Sequence, residues 1–137
     1  MAPDFIRLCR ELDDFMMSFP DVDKALYKGY GEHENIHNAF IAYLDDIPVG
    51  CAAFREQSKW DAELKRVYVK EPYRNLGISR KLLCAVEESV RKEGFRTLTL
   101  ATLLSLEGAV HLYQTSGFSI VAVEGLYIHM QKVMNEY

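Results

Sequence analysis

The chain has 137 residues, 49% of them hydrophobic and 26% charged, and carries a net charge of −4. Such a length makes one domain, and such a composition is ordinary for a soluble globular protein. The negative balance argues against a general nucleic-acid binder, no apolar run reaches the ~18 residues of a membrane span, and no basic-then-apolar leader opens the sequence, so the expectation is a single cytoplasmic domain over residues 1–137 with no nucleic-acid or membrane partner.

Taken in chain order, Asp4 is placed to cap a first helix whose Phe5, Leu8, Leu12, Phe15 and Met16 form one stripe, and Phe19-Pro20 ends it. Residues 21–31 predict a short helix leaving at Gly29 or Gly31. The apolar runs 39–44 and 49–54, joined by Asp45-Asp46-Ile47-Pro48, predict a β-hairpin. Residues 63–69 predict a strand. A period of two puts Glu63, Lys65, Val67 and Val69 on one face, and Leu64, Arg66 and Tyr68 on the other. Ser79 to Glu93 predicts a helix with Leu82, Leu83, Val86 and Val90 inward, ended by Gly94. Residues 95–101 predict a strand, Glu107 to Ser116 a helix ended by Gly117, and residues 118–123 and 126–133 two closing strands. A right-handed crossover over 63–101 makes its two strands parallel, while the flanking hairpins are antiparallel. The expected architecture is a mixed α/β (α+β) sheet with helices on both faces.

Cys9, Cys51 and Cys84 are far apart and make no CxxC, so they read as reduced, mostly buried thiols. His33, His37, His111 and His129 form no HExxH or Cys–His spacing, and no metal is expected. Charge is uneven: residues 1–46 hold ten acids and four bases, residues 47–137 ten acids and twelve bases. Solvated helix faces explain most of this. The sharper reading is an acidic half that attracts a cationic substrate and a second half that holds an anion.

Between the strand at 63–69 and the next helix runs Arg74-Asn75-Leu76-Gly77-Ile78-Ser79-Arg80-Lys81. A helix N-terminus offers free amides and the positive end of a dipole. Glycine lets those amides approach a ligand, and Arg74, Arg80 and Lys81 add positive charge. The loop suits a pyrophosphate, although neither GxxxxGK[ST] nor GxGxxG is present.

About thirty residues later comes Ala109-Val110-His111-Leu112-Tyr113-Gln114-Thr115-Ser116-Gly117-Phe118. Together the two blocks resemble the GCN5-related N-acetyltransferase (GNAT) superfamily, with its (Q/R)xxGx(G/A) loop and later A-x-x-LY-x-x-x-GF helix, over about residues 39–133. The resemblance implies a mostly antiparallel sheet with a central parallel, splayed strand pair, and acetyl-CoA as co-substrate without a metal. It implies that amides of Arg74, Asn75, Leu76, Gly77, Ile78 and Ser79, with Arg80 beside them, cradle the pyrophosphate. Backbone groups of Val67 and Val69 would pair with the pantetheine arm, and an N–H of Val67 or Tyr68 would polarise the thioester carbonyl. Tyr113 would be the general acid toward the CoA thiolate, and Glu63 the general base toward a small-molecule or peptide amine. Partial burial would raise a glutamate from its ordinary ~4.3 toward a useful value.

The chain departs from that pattern in three places. Ser79 stands where the loop ends in Gly or Ala, and Leu106 stands where many relatives carry a pantetheine-contacting asparagine. A helix also stands where the family opens with a strand; an edge left unpaired there invites association as a homodimer. The substrate pocket is expected between residues 19–36 and the hairpin around 123–128. The rival of another class is a non-catalytic acyl-CoA-binding sensor, which would not need both Glu63 and Tyr113; a third is an unrelated anion-binding α/β domain.

Overall fold

The computed structural model describes residues 2–22 and 35–134. In chain order they form α1 (Pro3–Met17), β1 (Asn38–Leu44), β2 (Ile47–Glu56), β3 (Asp61–Val69), a single 3₁₀ turn at Glu71–Tyr73, α2 (Ile78–Lys92), β4 (Thr97–Leu103), α3 (Glu107–Thr115), β5 (Ser119–Glu124) and β6 (Tyr127–Val133). The strands make one sheet in the order β1-β2-β3-β4-β6-β5. Only β3 and β4 run parallel, as the α2 crossover requires. Of the short helix expected at 21–31, all but residues 21 and 22 lies outside the described residues.

Two cores flank the sheet. On one face α2 packs Leu82, Leu83, Val86 and Val90 against Ala52, Phe54, Ala62, Leu64, Leu98 and Leu100, and α3 adds Tyr113. On the other, α1 buries Phe5, Leu8 and Cys9 against Cys51 and Ala53. The i, i+3, i+4 spacing of those α1 residues makes a single stripe. Asp4 does not cap α1. Ala2 is the N-cap and Pro3 opens the first turn, whereas Asp4 accepts a hydrogen bond from the Tyr43 hydroxyl at 2.6 Å. The β1–β2 turn is made by Asp45 and Asp46, both at positive φ (49° and 66°), which matches the twist of an antiparallel pair. Cys9 and Cys51 are buried and Cys84 is exposed; all three are free.

The alternation expected along β3 is corrected by a bulge. Arg66 takes φ 60°, and the β2–β3 register shifts between Cys51 and Ala53. One extra residue turns the pattern over. Ala62 and Leu64 before the bulge, and Val67 and Val69 after it, therefore all face the α2 core. Glu63, before it, lies on the α1 face with Tyr68, not with Val67 and Val69. The bulge is anchored from α1. The Arg66 guanidinium donates to the Asp13 carboxylate at 2.5 Å, with the two side chains only 5% and 3% exposed.

Candidate active site

Pairing between β3 and β4 stops early. Asp61, Ala62 and Glu63 register with Thr97, Leu98 and Thr99, and there the ladder ends. Beyond it β3 stays paired to β2 as far as Val69, and β4 stays paired to β6 as far as Leu103. The strands diverge into a V whose inner edge on β3 has no strand partner from Leu64 to Val69. A cavity of about 1140 Å³ occupies this V and is lined from both faces of the sheet. Leu12, Phe15 and Asp21 line it on the α1 side, and Ala109, Leu112 and Tyr113 on the α3 side.

At the wide end of the V the chain passes from the 3₁₀ turn into α2. Asn75 (φ 64°) and Gly77 (φ 80°) both adopt the left-handed conformation, and Gly77 is the N-cap. The first helical bond is from Lys81 N–H to the Gly77 carbonyl at 3.2 Å. Among the described residues nothing accepts from the amides of Asn75, Leu76, Gly77, Ile78, Ser79 or Arg80. Nothing lies within 4 Å of the position a Gly77 Cβ would take. Six free amides, a helix dipole and open space suit the phosphates of a nucleotide.

Arg74 enters this loop differently from the sequence expectation. Its amide donates to the Glu71 carbonyl at 3.2 Å, and its Nε donates to the Val69 carbonyl at 2.9 Å. Its guanidinium lies 4.9 Å from the Phe15 ring centroid. Arg74 therefore fastens the loop to the end of β3 and to α1, and its amide is not one of the free six. Arg80 is held by Thr115 (2.8 Å) and Ser116 (3.4 Å) at the end of α3, which brings its charge beside the α2 N-terminus.

Tyr113 is 7% exposed, packs edge-on to Phe118 with centroids 5.8 Å apart, and lines the cavity. No described residue hydrogen-bonds its hydroxyl. Burial pushes that hydroxyl above the ordinary tyrosine range, so it is protonated at neutral pH. Tyr68, on the α1 side, is also pushed up, by burial and then by Glu11.

Glu63 stands on the last paired rung before the V, half-buried. Its carboxylate accepts from Arg55 Nε at 2.6 Å, and its side chain is not part of the cavity wall. Past that rung the α1 face continues with Ala101 on β4 and with Tyr127 and His129 on β6. Glu124 of β5 lies 3.7 Å from His129 Nε2. Asp21, Glu124 and His129 all line the cavity, and Asp21 and Glu124 fall within the segments 19–36 and 123–128 between which the substrate pocket is expected. Neither His129 nor Asp13 carried a sequence signal, because each acquires its partner through sheet order. Among the described residues no group of three or more His, Cys, Asp or Glu could hold a metal, and no helix is long and apolar enough to cross a membrane.

Residues 6–118 match the model of the acetyltransferase (GNAT) family. The chain is 35% identical over 95 residues to N-alpha-acetyltransferase 50 of Danio rerio, a match that covers 65% of this chain and 55% of that protein. It therefore spans about half the length of that curated relative. An acyl-CoA N-acyltransferase structure from Klebsiella pneumoniae superposes with a TM-score of 0.79 at 24% identity, over 98% of this chain and 92% of the other. A GNAT acetyltransferase from Elizabethkingia anophelis with acetyl-CoA bound gives a TM-score of 0.63 at 22% identity, over 69% and 74% of the two chains. With the family model matched over most of its length and the splayed sheet in place, the chain belongs to the GNAT acetyltransferase family.

Proposed function

We propose that this chain transfers an acetyl group from acetyl-CoA to a primary amine by direct attack. The observation that carries the reading is the V itself: an unpaired strand edge ending at six unsatisfied amides. An extended pantetheine arm would complete the β3 edge along Val67, Tyr68 and Val69. The pyrophosphate would take the amides from Asn75 to Arg80, with the Arg80 side chain close by. The thioester then comes to rest near the closed end of the V, where a β3 N–H such as that of Val67 or Tyr68 polarises its carbonyl.

The amine enters from the α1 face, where the cavity wall carries Asp21 and Glu124. Those carboxylates favour a cationic acceptor, and the name of the Danio rerio relative points to an α-amino group, so a peptide amine leads the candidates over a small-molecule amine. As the C–S bond breaks, Tyr113 gives its proton to the CoA thiolate; such a transfer typically contributes about 10² to 10⁴ in rate. Glu63 is the base implied by the family pattern, although its Arg55 partner must release it or a water must intervene. Holding amine and thioester together supplies much of the remaining acceleration.

The test is a calorimetric titration with acetyl-CoA, free CoA and ATP, followed by thiol release with peptides bearing free N-termini and with small amines. CoA-selective binding with turnover supports the reading. Selective binding with no turnover on any amine favours the sensor, and equal binding of ATP favours a general anion site. Association is a separate part of the reading. All six residues of edge strand β5 are exposed, Val121 and Val123 among them at 54% and 61%. Such an edge favours a homodimer, and light scattering on the full chain decides it.

A further inference from the structure

Resting on that reading, we infer that His129, and not Glu63, takes the proton from the attacking amine, and that Glu124 steadies the imidazolium formed. The argument begins with faces. Ile128 and Met130 of β6 point into the α2 core, so Tyr127, His129 and Gln131 point to the α1 face, from which the amine enters. His129 pairs in register with Ala101 of β4. Ala101 is exposed and lies just past Thr99, the last residue that pairs with β3. One strand spacing, about 4.8 Å, separates the His129 backbone from the strand that walls the V. The residue facing His129 on that strand, Ala101, carries only a methyl group. His129 and Glu124 both line the cavity.

The carboxylate is placed by the hairpin. Glu124 pairs with Tyr127, so it is the diagonal neighbour of His129 on the same face. Its Oε2 is 3.7 Å from His129 Nε2, close enough to orient the ring. Among the described residues, the following groups share the α1 face or the cavity wall with this ring. β4 offers Thr99 and Ala101, neither titratable. Across the V, β3 offers Lys65 and Tyr68 in the cavity wall and Glu63, which is engaged by Arg55. From the α1 side, Asp21 lines the same cavity. An imidazole nitrogen can accept a proton and release it again, as removal of a proton from an amine requires.

The protons balance as follows. An ammonium acceptor loses one proton to His129, directly or through water, and the ring passes it to solvent. The freed nitrogen attacks the acetyl carbonyl carbon, the C–S bond breaks, and the CoA thiolate takes the Tyr113 proton. The nitrogen's second proton leaves as the amide forms and balances the one that Tyr113 regains from solvent.

The test compares His129→Gln, His129→Ala, Glu124→Gln and Glu63→Gln, with Gln131→Ala as control on the same strand face. Acetyl-CoA binding is measured by calorimetry, and kcat/KM is followed from pH 5.5 to 9.5. His129→Gln should bind acetyl-CoA like wild type, lose about 10²- to 10⁴-fold in kcat and lose the acid limb of the pH profile. Added imidazole should partly restore His129→Ala. Glu124→Gln should lose a few-fold in kcat with acetyl-CoA affinity unchanged. A limb retained in His129→Gln overturns the inference, and its disappearance in Glu63→Gln would hand the role to that residue. If wild type binds acetyl-CoA but acetylates no amine, the transferase reading fails and takes this inference with it; if wild type turns over and His129→Gln is unaffected, this inference fails alone.

Discussion

Asp13→Ala removes the acid that holds the β3 bulge and leaves the Arg66 guanidinium in place. Both side chains are almost wholly buried, at 3% and 5% exposure, and bonded at 2.5 Å. Breaking such a buried pair by removing one member costs about 3–5 kcal/mol, against a total of about 5–15 kcal/mol for a typical domain. Urea denaturation should therefore show a large fall in midpoint with little change in slope. The bulge also turns Val67 and Val69 toward the α2 core and frames the V, so acetyl-CoA affinity should fall with stability. The double variant Asp13→Ala/Arg66→Gly separates charge from backbone. It removes the buried guanidinium as well, and glycine relieves a left-handed φ of 60°, worth about 1–2 kcal/mol. It should be more stable than Asp13→Ala alone. A loss below about 1 kcal/mol for Asp13→Ala, or a double variant no more stable than the single, would refute the assignment of the ion pair as the anchor of the bulge.

Tyr113→Phe should lower turnover about 10²- to 10⁴-fold while calorimetry finds acetyl-CoA affinity nearly unchanged; unaltered turnover would exclude Tyr113 as the acid. The same variant has an alkaline signature. Burial raises the folded hydroxyl above its unfolded value of about 10, so above pH ~10 the unfolded chain binds fewer protons and stability falls with pH. Urea midpoints of Tyr113→Phe should therefore decline less between pH 10 and 11 than those of wild type, and parallel declines would contradict the burial argument. Gly77→Ala meets no atom within 4 Å, so its effect is confined to the backbone at φ 80°, about 1–2 kcal/mol; relaxation of the loop should appear as weaker acetyl-CoA binding. Gly50→Ala would put a Cβ 2.9 Å from the Tyr68 carbonyl oxygen and 3.1 Å from Val69 Cγ2, and the displaced β3 should lower the melting temperature by the equivalent of about 1–3 kcal/mol.

Much of the scaffold could be read from the residues. The crossover at 63–101, the glycine loop and the closing hairpin follow from periodicity and punctuation, which act over a few neighbours. Helix α2 begins one residue before the expected Ser79 because Gly77 itself serves as the N-cap. What escaped the reading depends on contacts distant in sequence. The alternation along 63–69 breaks at an arginine whose left-handed backbone is sustained by an aspartate 53 residues away. Arg74 looked like a phosphate ligand, yet the Val69 carbonyl and the Phe15 ring claim its side chain. His129 had no motif around it; its place beside the V follows from β6 inserting between β4 and β5.

The early end of the β3–β4 ladder has a consequence for the protein without ligand. On the side of β3 that faces the V, no strand pairs with the edge beyond Glu63 among the described residues, so this edge should exchange its amide hydrogens fastest among the strands of the sheet's centre. A bound pantetheine arm would act as the missing strand and slow that exchange. Since a ligand that binds only the folded form stabilises it by RT ln(1 + [L]/Kd), the lifetime of this chain in a cell would then follow its acyl-CoA supply: the co-substrate would be consumed in turnover and, while bound, would be part of the fold.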